Sequence, residues 1–128
     1  MTTLLIVDDN STSRRMLSYT LSKHGYATIT AENGREALAQ LEARPIDLIL
    51  SDIAMPEMDG LSLLQAMRAD ARWRHLPVIM ITASGQDQDR LEAQAAGVDG
   101  FLTKPIGSYE LLDLVGQLVL KSHGGDQP

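Results

Sequence analysis

The sequence contains no cysteine, which excludes disulfide bonds, thiolate metal ligands and cysteine nucleophiles. It also lacks any apolar run near the roughly 18 residues that a membrane-spanning helix requires. Residues 1–3 lack the basic segment that opens a secretion signal. These absences predict a cytoplasmic protein with no membrane partner.

Positive charge is scarce as well: 11 lysines and arginines face 17 aspartates and glutamates, for a net charge of −6. This balance would repel a nucleic acid backbone, so we expect no nucleic-acid partner. Only a local basic patch could reverse that expectation. The two candidates, Arg14 with Arg15 and the stretch 68–74, are both short.

Size and composition predict one globular domain. The chain has 128 residues, of which 44% are hydrophobic and 22% are charged. A domain of this size buries about two thirds of its unfolded surface and needs no disulfide or metal to fold. We expect the domain to cover residues 1–122, followed by a short polar tail over residues 123–128.

Short apolar runs alternate with helical patterns along the chain. Runs of this length that are apolar throughout are typical of strands buried on both faces of a parallel sheet. Strict alternation with short connections predicts an α/β fold, a three-layer, doubly wound, five-stranded parallel sheet with helices on both faces. The runs cover residues 4–7, 27–31, 48–50, 78–81 and 100–103.

The helices are predicted from caps and from apolar spacing. Caps are expected at Ser11 or Thr12, at Asn33 and at Asp59, and Gly25 and Gly97 are expected to end helices. In the first helix, Met16, Leu17, Thr20 and Leu21 are predicted to share one face, and in the second, Ala37, Leu38 and Leu41 are predicted to face inward. The third helix carries Leu61, Leu64 and Met67, the fourth is marked by Leu91 and Ala95, and the fifth by Leu111, Val115 and Leu118.

Reactive side chains follow four of the five apolar runs. Because the carboxyl ends of parallel strands meet at one edge of a sheet, we expect these side chains to share a crevice. Any one of them alone is more simply a helix cap, loop or turn residue, and only their joint occurrence favours a site. They are Asp8 and Asp9 after the first run, Ser51 and Asp52 after the third, Thr82 after the fourth and Lys104 after the fifth.

Three carboxylates in one crevice require a counter-charge. A like-charge pair at 4 Å costs about 1 kcal/mol in water and about 4 kcal/mol at an effective dielectric of 20. A hard divalent cation such as Mg²⁺ meets that requirement with oxygen ligands, and Lys104 supplies a fixed positive charge. Such a pocket attracts a phosphoryl group, which a carboxylate could accept as an acyl phosphate while Thr82 donates a hydrogen bond.

The motifs at these strand ends resemble the receiver domain of two-component response regulators. They lie at residues 7–9, 51–60, 81–83 and 101–105, and residues 8–15 are particularly similar to the chemotaxis regulators. The resemblance extends from about residue 3 to residue 121. It implies a flavodoxin-like sheet with the strand order 2-1-3-4-5.

The resemblance implies a role for each acidic residue. Asp52 would be the phosphoacceptor. Asp9, Asp52 and the backbone carbonyl of Ala54 would bind Mg²⁺ directly, and Asp8 would assist through water. Thr82 and Lys104 would contact the phosphoryl group.

The resemblance also implies a conformational switch. Thr82 would move toward the phosphoryl group, and Phe101 would turn into the space that Thr82 leaves. Phe101 is also explained as a plain core residue, since it lies in a predicted strand. Lys104–Pro105 would be a cis peptide, and the helix from Asp87, the last strand and the final helix would form the altered face.

Small or unassigned residues near the site leave two questions open. Ala54 and Ser84 stand where the family often has larger polar side chains, which predicts slower hydrolysis of the acyl phosphate than in fast chemotaxis regulators. Arg14 and Arg15 are interpreted either as a solvated helix face, which we favour slightly, or as a docking surface for a histidine-bearing donor.

The predicted function is a stand-alone signalling switch. A sensor histidine kinase or histidine phosphotransfer protein would phosphorylate Asp52 and so change partner binding, and the chain would catalyse only its own phosphorylation and dephosphorylation. One alternative is a receiver fragment of a larger regulator or hybrid kinase. Others are a Mg²⁺-dependent aspartyl-phosphate phosphatase, a flavodoxin-like cofactor binder and a phosphorylation-independent scaffold. An aspartyl-phosphate phosphatase usually has a second acidic residue two positions after its nucleophile. A flavodoxin-like cofactor binder usually has a phosphate-binding loop without acidic residues.

Overall fold

The structure, a computed structural model, describes residues 1–55, 57–83 and 87–124. Strands and helices alternate throughout these residues, as the apolar pattern predicts. The strands are β1 (Thr3–Val7), β2 (Ala27–Ala31), β3 (Leu48–Asp52), β4 (Val78–Thr82) and β5 (Gly100–Thr103). The helices are α1 (Ser11–Lys23), α2 (Gly34–Ala43), α3 (Gly60–Arg68), α4 (Asp87–Ala95) and α5 (Ser108–Gly124).

The strands form one parallel sheet in the order β2-β1-β3-β4-β5. The predicted fold class and strand order are therefore confirmed. The order reverses direction between β1 and β3, which are hydrogen-bonded neighbours. In a doubly wound sheet, the crevice beyond the carboxyl ends at such a reversal is where ligands bind.

Two apolar clusters cover the two faces of the sheet. Side chains of α2, α3 and α4 pack on one face together with Leu5, Val7, Ile49 and Met80. Side chains of α1 and α5 pack on the other face with Ile6, Leu50, Ile79 and Ile81. Every residue of β3 and β4 is buried, as expected for strands that are covered on both sides.

The beginning of α1 differs from the prediction. The side chain of Asn10 accepts a hydrogen bond from the backbone N–H of Ser13 at 3.0 Å, so the cap is Asn10 and the prediction of Ser11 or Thr12 is wrong. Met16 is also wrong as an inward residue, since 65% of it is exposed. Leu17 and Leu21, one turn apart, fill the buried side of α1, and Met16 is rotated by about 100° from Leu17 on the helix.

The predicted caps of α2 and α3 are confirmed. Asn33 accepts from the backbone N–H of Glu36 at 2.8 Å, and Asp59 accepts from the N–H of Ser62 at 2.8 Å. The capping box of α2 is displaced by one residue, because Glu36 reaches back to the N–H of Glu32 at 3.1 Å rather than to Asn33.

The helix α4 is present as predicted, but the two residues that marked it are not its buried ones. Leu91 is 60% exposed and Ala95 is exposed, whereas Ala93 is fully buried against the sheet. The apolar residues of this short helix do not form a single stripe, so their spacing is a poor guide to the buried side. Gly97, with φ of +91°, follows the end of the helix as predicted.

The last helix, α5, buries Leu111 and Val115 as predicted. It extends to Gly124 and so includes the first two residues of the segment 123–128 that the sequence separates as a tail. The remaining residues of that segment, 125–128, lie outside the described residues. In the described part of the chain, no helix has both the length and the apolar character needed to cross a bilayer.

Candidate functional site

Three carboxylates meet at the carboxyl edge of the sheet. Asp8 directly follows β1, and Asp52 is the last residue of the neighbouring strand β3. Carboxylate oxygens of Asp8, Asp9 and Asp52 all lie within 4.8 Å of one another. Asp8 is 1% exposed and Asp52 is 8% exposed, while Asp9 faces solvent. The structure therefore brings together the acidic residues selected from the strand ends.

Lys104 reaches the same cluster from β5. Its Nζ lies 3.3 Å from Oδ2 of Asp8 and 3.6 Å from Oδ2 of Asp52. The backbone N–H of Lys104 donates to the carbonyl oxygen of Thr82 at 2.7 Å, which holds the end of β5 against β4. The peptide bond between Lys104 and Pro105 is cis, as the resemblance implies.

Thr82 and Ala54 lie near Asp52, one at the end of the neighbouring strand and the other two residues further along the chain. Thr82 is the last residue of β4 and is buried. Its neighbour Ile81 pairs with Asp52, and the N–H of Ile53 donates to the carbonyl of Ile81 at 2.9 Å. Ala54 is exposed. Ser84, the other small residue considered above, lies outside the described residues.

The charges of the site do not balance. Three carboxylates face one ammonium group, which leaves an excess of negative charge. Burial raises the pKa of Asp52; Lys104 opposes this rise, and the carboxylates of Asp8 and Asp9 add to it. Clustered carboxylate oxygens with excess negative charge are the donor set of a hard divalent cation, so these residues fit Mg²⁺.

Backbone and glycine contacts hold Asp52 and its loop in place. The hydroxyl of Ser51, a buried residue, donates to the carbonyl oxygen of Asp52 at 3.0 Å. The N–H of Gly60 donates to the carbonyl of Ile53 at 2.9 Å and closes the loop that follows β3. A Cβ at position 60 would clash with the carbonyl oxygen of Asp52, so this position requires glycine. The sequence indicated only a loop at Gly60, and the requirement appears only in three dimensions.

Arg14 does not lie on a solvated helix face, so that interpretation is wrong. Only 16% of its side chain is exposed, and its Nη1 donates to the carbonyl oxygen of Asp8 at 2.8 Å. The exposed Arg15 is oriented differently. In the other basic stretch, Arg68 pairs with Asp99 and Arg72 pairs with Asp70, so neither arginine is a bare positive charge.

Phe101 lies in β5 on the face that packs against α4. It is half-buried, and the guanidinium carbon of Arg90 lies 5.4 Å from the centre of its ring. This position places the predicted switch residue beside the helix that the switch would move. The roles of Phe101 and Thr82 as switch residues remain predictions.

The chain is similar in sequence and structure to known proteins over nearly its whole length. Residues 4–116 match the family model of the response regulator receiver domain. The chemotaxis protein CheY of Pseudomonas aeruginosa is 38% identical over 122 residues, which cover 94% of this chain and 98% of that protein.

Two solved structures are also similar. Chemotaxis protein CheY4 of Vibrio cholerae superposes with a TM-score of 0.87 at 36% identity, covering 92% of this chain and 98% of that one. The receiver domain of a signal transduction histidine kinase from Syntrophus aciditrophicus gives a TM-score of 0.89 at 34% identity, covering 100% and 95%. Chemotaxis proteins and a domain of a histidine kinase are thus both similar to this chain.

Proposed function

The chain belongs to the response regulator receiver domain family of two-component signalling, and on that premise we propose that it is a phosphorylation-dependent signalling switch. Asp52 is the phosphoacceptor in this proposal. The observation that carries it is the cluster of Asp8, Asp9 and Asp52 with the ammonium group of Lys104 on Asp8 and Asp52.

The donor set supports Mg²⁺ as the cofactor. Asp9, Asp52 and the backbone carbonyl of Ala54 would hold the ion directly, and Asp8 would hold it through water. When bound, the ion supplies positive charge beside the oxygens of the phosphoryl group. It also offsets the repulsion among the three carboxylates, which a single lysine leaves uncompensated.

Phosphoryl transfer needs little from the protein beyond position and charge. A carboxylate oxygen of Asp52 attacks the phosphorus of a phosphohistidine. The P–N bond breaks, the P–O bond of the acyl phosphate forms, and the imidazole keeps the electron pair and takes up a proton. Lys104 neutralises charge on the phosphoryl oxygens, and the hydroxyl of Thr82 donates a hydrogen bond to one of them.

The donor is a sensor histidine kinase or a histidine phosphotransfer protein. A groove of about 270 Å³ between α1 and the connection from β5 to α5 supports its approach, because Lys104 forms part of the groove wall. The exposed Met16 lies on the opposite wall and offers apolar surface to a partner. Cytoplasmic location and the absence of a nucleic-acid partner stay predictions from the sequence.

The output in this proposal is a change in partner binding. The hydrogen bond to the phosphoryl group would draw Thr82 toward Asp52, and Phe101 would turn into the space that Thr82 leaves and so rearrange the face of α4, β5 and α5. The contact between Arg90 and Phe101 supports this route, because it links β5 to α4 directly. The chain would act on no substrate other than its own phosphoryl group.

Incubation with acetyl phosphate and Mg²⁺ tests the proposal by intact mass. We expect the wild type to gain ~80 Da, the mass of one phosphoryl group, and the Asp52→Asn variant to gain nothing. Asp70→Asn, which changes a carboxylate far along the chain, is the matched control and should behave as the wild type. A mass gain that persists in Asp52→Asn, or fails in the wild type, would refute the proposal.

A further inference from the structure

A cation lies in the first turn of α1, where it is electrostatically out of place. Arg14 lies four residues after the cap Asn10, and the first turn holds no acidic residue. The positive end of the helix dipole disfavours a cation at this position. A cation in this unfavourable position requires contacts that offset the repulsion from the helix dipole, and the contacts of Arg14 provide them.

Arg14 reaches back over the loop that carries two of the three carboxylates. Helical side chains lean toward the helix N-terminus, which directs this guanidinium group toward the end of β1. Nη1 donates to the carbonyl oxygen of Asp8 at 2.8 Å, and Nη2 lies 3.6 Å from Oε1 of Glu32. The side chain therefore joins the loop after β1 to the loop after β2.

The loop after β2 is a firm anchor for this contact. The N–H of Glu32 donates to Oε1 of Glu36, and the N–H of Glu36 donates to Oδ1 of Asn33. The N–H of Asp8 in turn donates to the carbonyl of Ala31 at 3.1 Å. This loop adds no carboxylate to the cluster described above, yet it contacts the backbone on which Asp8 and Asp9 are mounted.

We propose that Arg14 is a positioning residue for the metal site, acting through the carbonyl oxygen of Asp8. The inference rests on the proposed function, which makes Mg²⁺ the ion in question. The hydrogen bond to the carbonyl carries the effect, because an exposed ion pair at 3.6 Å contributes little by itself. Groups that orient metal ligands typically change metal affinity by 10–100-fold when they are lost.

Positioning and simple electrostatics predict opposite results for one substitution. Removal of a cation beside an acidic cluster should strengthen the binding of another cation, and it leaves the charge of Glu32 uncompensated as well. Loss of a positioning contact should weaken binding instead. The sign of the change in Mg²⁺ affinity for Arg14→Ala therefore decides between the two.

The experiment is calorimetric titration of Mg²⁺ into four versions of this 128-residue chain: wild type, Arg14→Ala, Arg14→Lys and Arg15→Ala. Arg14→Ala should weaken binding about tenfold. Arg14→Lys should also weaken it, since one ammonium group keeps the charge but does not reproduce the paired contacts of the guanidinium group. Arg15→Ala removes the same charge from the exposed neighbour and should leave affinity unchanged or slightly increased. If Arg14→Ala binds Mg²⁺ as tightly as Arg15→Ala or more tightly, the proposal is overturned.

A second measurement uses the metal-free proteins and separates this inference from the proposed function. The amide hydrogens of Asp8 and Asn10 are both bonded, to the carbonyl of Ala31 and to Oδ1 of Asp8, so their exchange with solvent reports opening of this loop. Exchange at both amides should be faster in Arg14→Ala than in Arg15→Ala, while the amides of β3 and β4 stay unchanged. Equal exchange in the two variants would overturn the inference. If the wild type binds no Mg²⁺, the proposed function fails, and the exchange result still decides whether Arg14 positions the loop.

Discussion

Charged groups are partnered differently at the amino and carboxyl edges of the sheet. At the amino edge, the guanidinium group of Arg68 donates to carbonyl oxygens of Leu76 and Gly97 and to the carboxylate of Asp99. Asp99 accepts from the N–H of Val78 as well, so each charge there has matched partners. At the carboxyl edge, three carboxylates share one lysine. At the amino edge, both charges of the Arg68–Asp99 pair have partners, and the pair stabilises the fold. The carboxyl edge has too little positive charge to neutralise its carboxylates, so it can bind a cation.

The largest effect is expected at the amino edge. Arg68→Ala should lower the free energy of unfolding by about 3 kcal/mol, because the carbonyl groups of Leu76 and Gly97 lose their charged donor and Asp99 keeps only the N–H of Val78. Urea denaturation measures the change. Arg72→Ala is the matched control, since its bridges to Asp70 and Glu42 are exposed and should contribute less than about 1 kcal/mol. Equal losses in the two variants would contradict the contrast between the edges.

At the unbalanced edge, removal of a charge should stabilise the protein. Without Mg²⁺ at pH 7, Asp52→Asn should raise the free energy of unfolding by about 2 kcal/mol, between the ~1 and ~4 kcal/mol of a like-charge pair at 4 Å in water and near a protein surface. The substitution removes the cost of burying a charged carboxylate and the repulsion from Asp8 and Asp9, and it loses the attraction and the hydrogen bond to Lys104. Urea denaturation of both proteins in chelating buffer tests the sign, and a less stable variant would show that the carboxylates are already compensated.

The stability of Asp52→Asn relative to the wild type should depend on pH, and the pKa shift of Asp52 sets the sign of that dependence. The folded-state pKa of Asp52 is raised above its ordinary value of 3.8, mainly by burial. Its ionisation therefore costs stability above the raised pKa, and that cost disappears as the pH falls through the raised value to below 3.8. The stability advantage of Asp52→Asn over the wild type should shrink across this interval. An advantage that stays constant down to pH 3 would show that the pKa is not raised.

Mg²⁺ bound at the acidic cluster should offset part of its excess negative charge and so stabilise the protein. At a free concentration ten times its dissociation constant, the ion should stabilise the wild type by about 1.4 kcal/mol. The stabilisation should be much smaller in Asp9→Asn, which removes one carboxylate of the cluster without touching the contacts of Lys104. Thermal unfolding with and without the ion provides the comparison, with Ca²⁺ as a second cation. Equal stabilisation of both proteins would place the ion elsewhere.

The smallest effect concerns the lifetime of the acyl phosphate. The exposed Ala54 offers no polar group to orient a water molecule beside Asp52. Ala54→Asn should therefore speed loss of the phosphoryl group by roughly threefold or more, equivalent to about 0.7 kcal/mol of barrier. Decay of the phosphorylated mass over time measures it, and Ala39→Asn on the exposed side of α2 is the control. Unchanged decay in Ala54→Asn would count against control by this position.

The site was more predictable than the surfaces of the helices. Asp8, Asp52 and Lys104 could be selected because parallel strands deliver whatever follows them to one edge, a consequence of topology alone. The strand order itself came from the family resemblance, since alternation of strands and helices is compatible with several orders. Apolar spacing failed at Met16, because Leu17 and Leu21 occupy the buried positions of α1, and it did not identify Ala93 as the buried residue of α4.

Contacts made by long side chains were beyond the reach of the sequence. From the sequence, Arg14 was interpreted as part of a solvated face or a docking surface, and Arg68 appears only as a member of a short basic stretch. In the structure both bond to backbone carbonyl oxygens, which every residue possesses and which therefore leave no mark on residue spacing. For the same reason Gly60 appeared only as a loop residue, although the carbonyl oxygen of Asp52 leaves no room for a larger one.

The hydrogen bond between Gly60 and Ile53 has a consequence for engineering. It joins the two ends of the segment between Asp52 and α3, so a side chain between these ends can be changed while the ends stay in place. Under the proposed function, substitutions at Ala54 should therefore alter how long the signal persists without displacing Asp52. A designer could thus set the duration of a response and leave its sensitivity alone.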